Sequence, residues 1–476
     1  MPGIDFLQLD PATAGSQGLT SWLTDQLRGA ITDGRLHAGL KLPATRVLAA
    51  ELGISRGVVT DSYQRLVDEG RIIGRRGGGT TVVSAGPPQP QAKPSAPEPT
   101  RDVLDLSPGI PDIAAFPRAA WIRAERAVFA EAGPGDLGYG DPRGLPELRN
   151  ALAGWLARTR GVRTDPSDLL IVGGVAQSLA LIAQVLRARG VSSVAVEEPG
   201  SMGARDQLGY WGLATPPVSV DAGGLDVEAL AATGAAAVMT TPAHQFPTGV
   251  VLSPERRRAL LVWAAKGNVI IEDDYDAEHR YDRPPVPALQ GLAPEFVVHT
   301  GSVSKTLAPA LRLGWLVAPS KLRQQLASAQ RHSDLATPGV GQLVLTRLIE
   351  SGELERHLRL VRRRQRRRRD AMLDELRRRL PQAQVHGVAA GLHLLVTLPN
   401  GHDDIALAEK LLDSGIKVQA LSWHRQLPGP PGLVLGYAAQ GPEEIRSAIR
   451  RISRLARSST PSSTVDQEPS ARPTTS

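Results

Sequence analysis

The chain has 476 residues, 41% hydrophobic and 4% aromatic, enough for two or three domains with aliphatic cores. It contains no cysteine, which excludes disulfides, thiolate metal sites and cysteine nucleophiles together, and it opens without the basic and apolar stretches of a signal peptide. The net charge is only +7, and no apolar run nears the roughly 18 residues of a membrane helix, so a soluble, cytoplasmic protein is expected.

The first predicted element, "SWLTDQLRGAITDGRL", is an amphipathic helix. "LPATRVLAAELGISRGVVTDSYQRLVDEGRI" then reads as helix, tight turn, helix. The first helix is Ala44 to Leu52, Gly53 supplies the turn, and Ser55 N-caps a second helix running to about Glu69. "GRIIGRRGGGTTVVS" follows as a strand, a glycine-rich tip at Gly77–Gly79 and a return strand. That order is a winged helix-turn-helix. Its second helix can enter a major groove, with Ser55, Arg56, Gly57, Val58 and Thr60 near base edges. Arg46, Arg75 and Arg76 are placed to meet phosphates, which give affinity but no sequence choice. A protein-binding winged helix is the alternative.

From about Leu19 to Val83 this module resembles the GntR family of bacterial transcription regulators, through "LPATRVLAAELGISRGVV", "YQRLVDEG" and "GGGTTV". The resemblance implies binding to double-stranded operator DNA. Gly57 departs from it, because the family usually has a polar or larger side chain there.

Residues 85–101 hold six prolines among small and polar residues and are expected to be an extended linker. They divide a head, residues 1–84, from a main domain, residues 102–457; the polar stretch 458–476 reads as a disordered tail. The main domain alternates short β-branched runs ("DLLIVGG", "SSVAVEEPG", "AAAVMTTP", "GNVIIEDDY", "EFVVHTGS") with helical stretches, the pattern of an α/β fold. In such sheets ligands lie beyond the carboxyl ends of the strands.

Three groups of residues fall at those ends. "IVGGVAQSLALI" ends a strand in two glycines and opens a helix, so the amides of Gly174, Val175 and Ala176 form an anion site. "IIEDDYDAEHRY" puts Asp273 at a strand end with Tyr275 two residues on; a metal site or a surface turn are the other readings of its clustered acids. "GSVSKTLAPALRLGW" sets Lys305 among small and apolar residues, where desolvation disfavours its charge and favours a nucleophilic amine. Ser302, Ser304 and Arg312 around it suit a phosphate. "YGDPRGLPELRNAL" adds Tyr139, and "TPAHQFPTG" adds His244 in a proline-bounded turn. An activated amine beside a phosphate cradle is what pyridoxal phosphate chemistry requires.

Together these motifs resemble the fold type I aminotransferases over residues 102–457. With the head, the whole chain is similar to the MocR/GabR subfamily, in which an aminotransferase-like domain is the effector sensor of a transcription regulator. The resemblance implies pyridoxal 5'-phosphate held as a Schiff base by Lys305, its ring nitrogen on Asp273 and its phenolic oxygen on Tyr275. Ser302, Ser304 and Arg312 would hold the phosphate, and Tyr139 would reach the cofactor of the partner subunit in a homodimer. Three positions depart from an ordinary transaminase. Phe246 replaces the usual asparagine before Pro-Thr-Gly, leaving His244 or Gln245 to substitute. Ser201 stands where a tyrosine is common. Val434 stands near where an arginine grips the substrate carboxylate, a role open to Arg425 or Arg205. A regulator sensing the cofactor, an amine or an amino acid, without sustained turnover, is therefore expected; an active aminotransferase carrying a DNA-binding domain is the alternative.

Residues 356–380 hold twelve arginines against Asp370, Asp374 and Glu375. The segment reads as a long helix with a cationic face, either simply solvated or an auxiliary contact for DNA or an acidic partner.

Overall fold

The computed structural model describes residues 9–75, 79–83, 103–276, 278–281, 286–387 and 390–458, apart from the side chains of 16, 17, 75 and 458. The predicted linker 85–101, Arg76, the side chain of Arg75 and nearly all of the tail 458–476 lie outside those residues. The chain forms two compact units, Met1–Thr100 and Arg101–Ser476.

In the first unit, α1 (Leu19–Thr32) turns Leu23, Leu27, Ala30 and Ile31 onto one buried stripe. They pack against Leu48 of α2 (Thr45–Leu52) and Val59 and Leu66 of α3 (Arg56–Asp68). Gly53 ends α2 in the left-handed region at φ 63°, a conformation glycine adopts without strain. Ser55 caps α3 by accepting from the Val58 amide at 3.4 Å. The wing pairs β2 (Ile72–Arg75) with β3 (Gly79–Val82), matching Ile72 to Val82 and Arg75 to Gly79. Sequence periodicity had suggested two strands, but β1 (Lys41–Leu42) joins β3 as a third. Two residues are too few to show an alternating pattern.

The second unit opens with β4 (Leu104–Asp105). Its main sheet comprises β5 (Leu169–Val172), β6 (Ala195–Glu198), β7 (Pro217–Asp221), β8 (Gly224–Leu225), β9 (Ala237–Thr240), β10 (Val269–Asp273), β11 (Val297–Ser302) and β12 (Gly314–Val317). Their order is β5-β12-β11-β10-β9-β6-β7-β8, with β11, β10, β9, β6 and β7 parallel and β12 antiparallel to both neighbours. Both faces are covered by helices, which is why the strands read as continuous apolar runs. Leu170 and Val172 pack into the layer of helix Val175–Ala188, Leu169 and Ile171 into that of helix Pro146–Arg160.

A smaller sheet follows, from β13 (Gln384–His386), β14 (His393–Thr397), β16 (Gln419–Ala420) and β17 (Gly432–Gly436), while β15 (Ile416–Lys417) pairs in parallel with β4. Helix Glu353–Arg379 joins the two layers. Its Leu354 and Leu358 pack in the large layer, and its Met372, Leu373 and Leu376 in the small one. His357 Nε2 lies 2.8 Å from the Thr306 carbonyl, next to Lys305. No helix among the described residues is long and apolar enough to cross a membrane.

Leu27 is fully buried in a head too small to lose much core. Leu27→Ala should cost the head about 2–4 kcal/mol and speed amide exchange across residues 19–82. Exchange in the second unit should be unchanged.

Candidate functional site

At the carboxyl end of the main sheet is a cavity of about 320 Å³ lined by Lys305, Asp273, Tyr275, Ser302, Ser304, Arg312, Val175 and Ala176. The cavity also takes in Gly109, Ser201, Thr241 and Phe246. Residues from six separate stretches meet because β10, β11 and the turn after β5 all end there.

Lys305 donates to the Gly109 carbonyl at 2.6 Å. Burial lowers its pKa, against the pull of Asp273 and Asp276. Gly109 has φ 79°, and a Cβ there would stand 3.0 Å from Nζ, so the amine lies tight against bare backbone.

β10 ends in three consecutive acids with three fates. Glu272 accepts the Leu289 and Gln290 amides at 2.8 and 3.1 Å and meets His299 at 3.4 Å. Burial opposes its charge, but His299 and the amides outweigh it and hold the carboxyl below its usual range. Asp274 takes a two-pronged contact from Arg160, at 2.6 and 3.1 Å. Asp273 between them lines the cavity, its Oδ1 buried without a hydrogen-bond partner. Burial, then repulsion from Asp274 and Asp276, pushes it up to about 7. Asp276 meets His244 Nδ1 at 2.9 Å. The adjacent acids thus have protein partners, which removes the basis for a metal reading of Asp274 and Asp276.

Tyr275 is pushed well above its usual value, by burial first and then by Asp276 and Asp273, so its phenol keeps its proton. Its hydroxyl lies 3.0 Å from His244 Nδ1.

Near the start of helix Val175–Ala188, Gly174 has φ 106°, and a Cβ there would stand 3.4 Å from Arg312 Nη1. Arg312 itself takes a left-handed φ of 50°, which turns it out of the strand path toward the glycines. A Cβ on Gly314 would lie 2.7 Å from the Gly301 carbonyl oxygen and 2.9 Å from Gly174 Cα. Backbone therefore packs directly on backbone beneath this cradle.

Several expected residues stand elsewhere. His244 is buried behind Tyr275 and does not line the cavity, because Asp276 draws its ring inward; Phe246 takes the wall instead. Tyr139 is 93% exposed and outside the cavity. Arg205 is engaged with the Trp423 carbonyl at 3.0 Å and Glu198 at 3.9 Å. Val434 is sealed in an apolar cluster with Leu395, Leu421 and Phe246. In the head, Arg46, Arg56 and Gly57 are exposed. Ser55 and Thr60 are exposed too, the Thr60 hydroxyl donating to the Arg56 carbonyl at 2.9 Å, whereas Val58 packs partly on the core. Sequence reasoning missed Gly109 and Thr241; the Pro-Gly turn at Pro108–Gly109 was the only signal for the first.

The donor set fits pyridoxal 5'-phosphate: a carboxylate oxygen buried without a partner for a ring N–H, a neutral phenol, an amine whose charged form burial disfavours, and a glycine-lined cradle with an arginine. Residues 101–452 match the aminotransferase class I and II family, and residues 19–82 the gntR family of bacterial regulatory proteins. A pyridoxine biosynthesis transcriptional regulator of Corynebacterium glutamicum is 32% identical, covering 90% of this chain and 94% of that protein. The chain belongs to the MocR/GabR subfamily of GntR-type regulators. Like other members, it joins a winged helix-turn-helix to a fold type I aminotransferase-like domain. The probable rhizopine catabolism regulatory protein of Rhizobium meliloti is 30% identical, over 90% of this chain and 92% of its own. Among solved structures, the α-aminoadipate aminotransferase of Thermus thermophilus, with N-(5'-phosphopyridoxyl)-L-leucine, matches at a TM-score of 0.68 and 28% identity. It covers 75% of this chain and 93% of that one.

An unfolded aspartate loses its proton near pH 3.8, Asp273 in the folded chain near 7. Between those values the folded state binds more protons, so this group lowers stability as pH rises, and its cost is constant above 7. Asp273→Asn abolishes the titration. Without cofactor, the variant should gain about 2–4 kcal/mol over wild type between pH 4 and pH 8, measured by urea unfolding. A pH-independent difference would contradict a buried, unpaired carboxylate.

Proposed function

We propose that the protein is a homodimeric, pyridoxal 5'-phosphate-dependent transcription regulator whose aminotransferase-like domain senses the cofactor itself or a small amine or amino acid. The observation that carries this reading is the unpartnered Oδ1 of Asp273 in a cavity shared with Lys305, on a chain with a GntR-type head. When bound, the cofactor supplies an aldehyde that condenses with primary amines.

Each residue then has a part. Asp273 would accept the ring N–H, gaining the partner it lacks and keeping that nitrogen protonated. Tyr275, its proton held firmly, would donate to the phenolic oxygen, steadied by His244. Ser302, Ser304, Arg312 and the amides of Gly174, Val175 and Ala176 would hold the phosphate. Lys305, with its ammonium form disfavoured, would carry the covalent attachment. Tyr139, so exposed on one chain, is suited to complete the partner subunit's site.

Sustained transamination needs a cation on the substrate carboxylate. Val434 is walled in by apolar side chains, Arg205 is held by Glu198 and the Trp423 carbonyl, and Arg425 does not line the cavity, which favours sensing over turnover. A ligand shifts a regulator only by its differential affinity for two states.

Operator affinity of the wild type should change about 5–150-fold on adding pyridoxal 5'-phosphate, and Lys305→Ala should abolish or shrink the change. Identical affinity with and without cofactor, alongside rapid exchange of an amino acid with a 2-oxo acid, would favour the enzyme reading.

In the head, Arg56→Ala should cost about 1–3 kcal/mol at the operator and little on random DNA. Arg46→Ala should weaken both alike. Gel-shift titrations on the two duplexes separate these outcomes, and equal losses from both changes would refute the division of labour.

A further inference from the structure

We propose that the first half of helix Glu353–Arg379 is a second contact for DNA phosphates, made by Arg359, Arg363, Arg366 and Arg367. The proposal rests on the reading that the head binds DNA.

The structure sorts this helix's arginines into two kinds. Arg364 and Arg368 turn inward and share Asp112 at 2.6 and 2.8 Å. Arg362 donates to the Glu278 carbonyl at 2.9 Å, Arg356 meets Glu353 at 2.7 Å, and Arg378 and Arg379 both meet Glu375 at 3.1 Å. These hold the helix in place or shield its ends. Arg359, Arg363, Arg366 and Arg367 are exposed and make no ion pair among the described residues.

Those four lie at i, i+4, i+7 and i+8, a single face about 12 Å long. Leu358, Val361 and Gln365 pack the opposite side, so the face is rigidly presented. Within it, 359 with 363 and 363 with 367 are like charges four residues apart, an arrangement that weakens a helix. Neither the helix nor its packing gains from this repulsion. A polyanion relieves it.

A duplex carries one negative charge per roughly 1.7 Å, matching a row of closely spaced guanidiniums. The chain's own head supplies that polyanion. Head and helix belong to one chain, and the 19 residues 84–102 between the described parts of the head and of the main domain that carries the helix span at most ~68 Å. Tethering of this kind raises the local concentration of any duplex held by the head. An acidic protein has no such tether.

The test uses full-length protein and a labelled 40-base-pair random duplex, titrated by fluorescence anisotropy at several potassium chloride concentrations. Arg359→Gln, Arg363→Gln, Arg366→Gln and Arg367→Gln together should reduce the slope of log affinity against log salt by about 2–4. The same four positions changed to lysine should keep the slope. The pair Arg366→Gln and Arg367→Gln should lose about half as much, which serves if the fourfold glutamine variant melts early. A wild-type slope in the glutamine variants overturns the proposal and leaves the face to an acidic protein. Equal losses in the lysine and glutamine variants also overturn it, because the effect would then be structural. Wild type that binds no duplex at all removes the DNA-binding reading as well.

Discussion

The ion pair between Arg160 and Asp274, with Nε 2.6 Å from Oδ2, lets β10 end in three successive acids inside a fold. Side chains alternate across a strand, so Glu272 and Asp274 share one side and Asp273 faces the other. On the shared side a histidine, two backbone amides and a buried guanidinium neutralise the charge. On the cavity side only the distant pull of Lys305 and His299 does, and no hydrogen bond reaches Oδ1. That imbalance leaves Oδ1 of Asp273 open as an acceptor for an N–H that enters, because no protein group hydrogen-bonds to it. Removing Arg160 would leave Asp274 buried and unpaired, a far more costly arrangement than the one it stabilises.

A second constraint is Gly314, where a side chain would strike the Gly301 carbonyl oxygen and Gly174 Cα. It brings the start of helix Val175–Ala188 against the strand that begins two residues after Arg312. An anion cradle needs N–H groups and a guanidinium converging within a few ångströms, and a side chain at Gly314 would hold them apart. The tight seat of Lys305 on Gly109 follows the same logic. In both places the missing Cβ brings polar groups together.

Much of this was legible in the sequence, because strand-to-loop junctions in α/β folds are marked by glycine and polar residues after apolar runs. "IVGG", "EDDY" and "GSVSK" announce their places, and the head is marked by Gly53, Ser55 and the β-branched run "TTVV". What escaped was anything set by contact between distant segments. That Asp274 rather than Asp273 is neutralised depends on Arg160, more than a hundred residues away. His244 was read as facing the cofactor because it sits in the right turn, but the pull of Asp276 decides which way its ring points. Val58 shows the same limit on a smaller scale, since one helical position separates a groove-facing side chain from a core-facing one. The arginine-rich segment could be recognised as a helix, yet only Asp112 and Glu375 reveal which arginines are structural.

The helix Glu353–Arg379 also has a mechanical meaning. Its 27 residues make a rod about 40 Å long. One end is tied through His357 to the Thr306 carbonyl, adjoining the lysine; the other is bedded in the small sheet's core through Met372 and Leu376. A rod of this length pivoting by two degrees at one end moves the other by about 1 Å. A displacement of the lysine's loop would therefore reach the row of arginines as a tilt of one continuous element. A chemical event confined to a few atoms would then change the attitude of a surface, with no part of the fold needing to melt or rearrange.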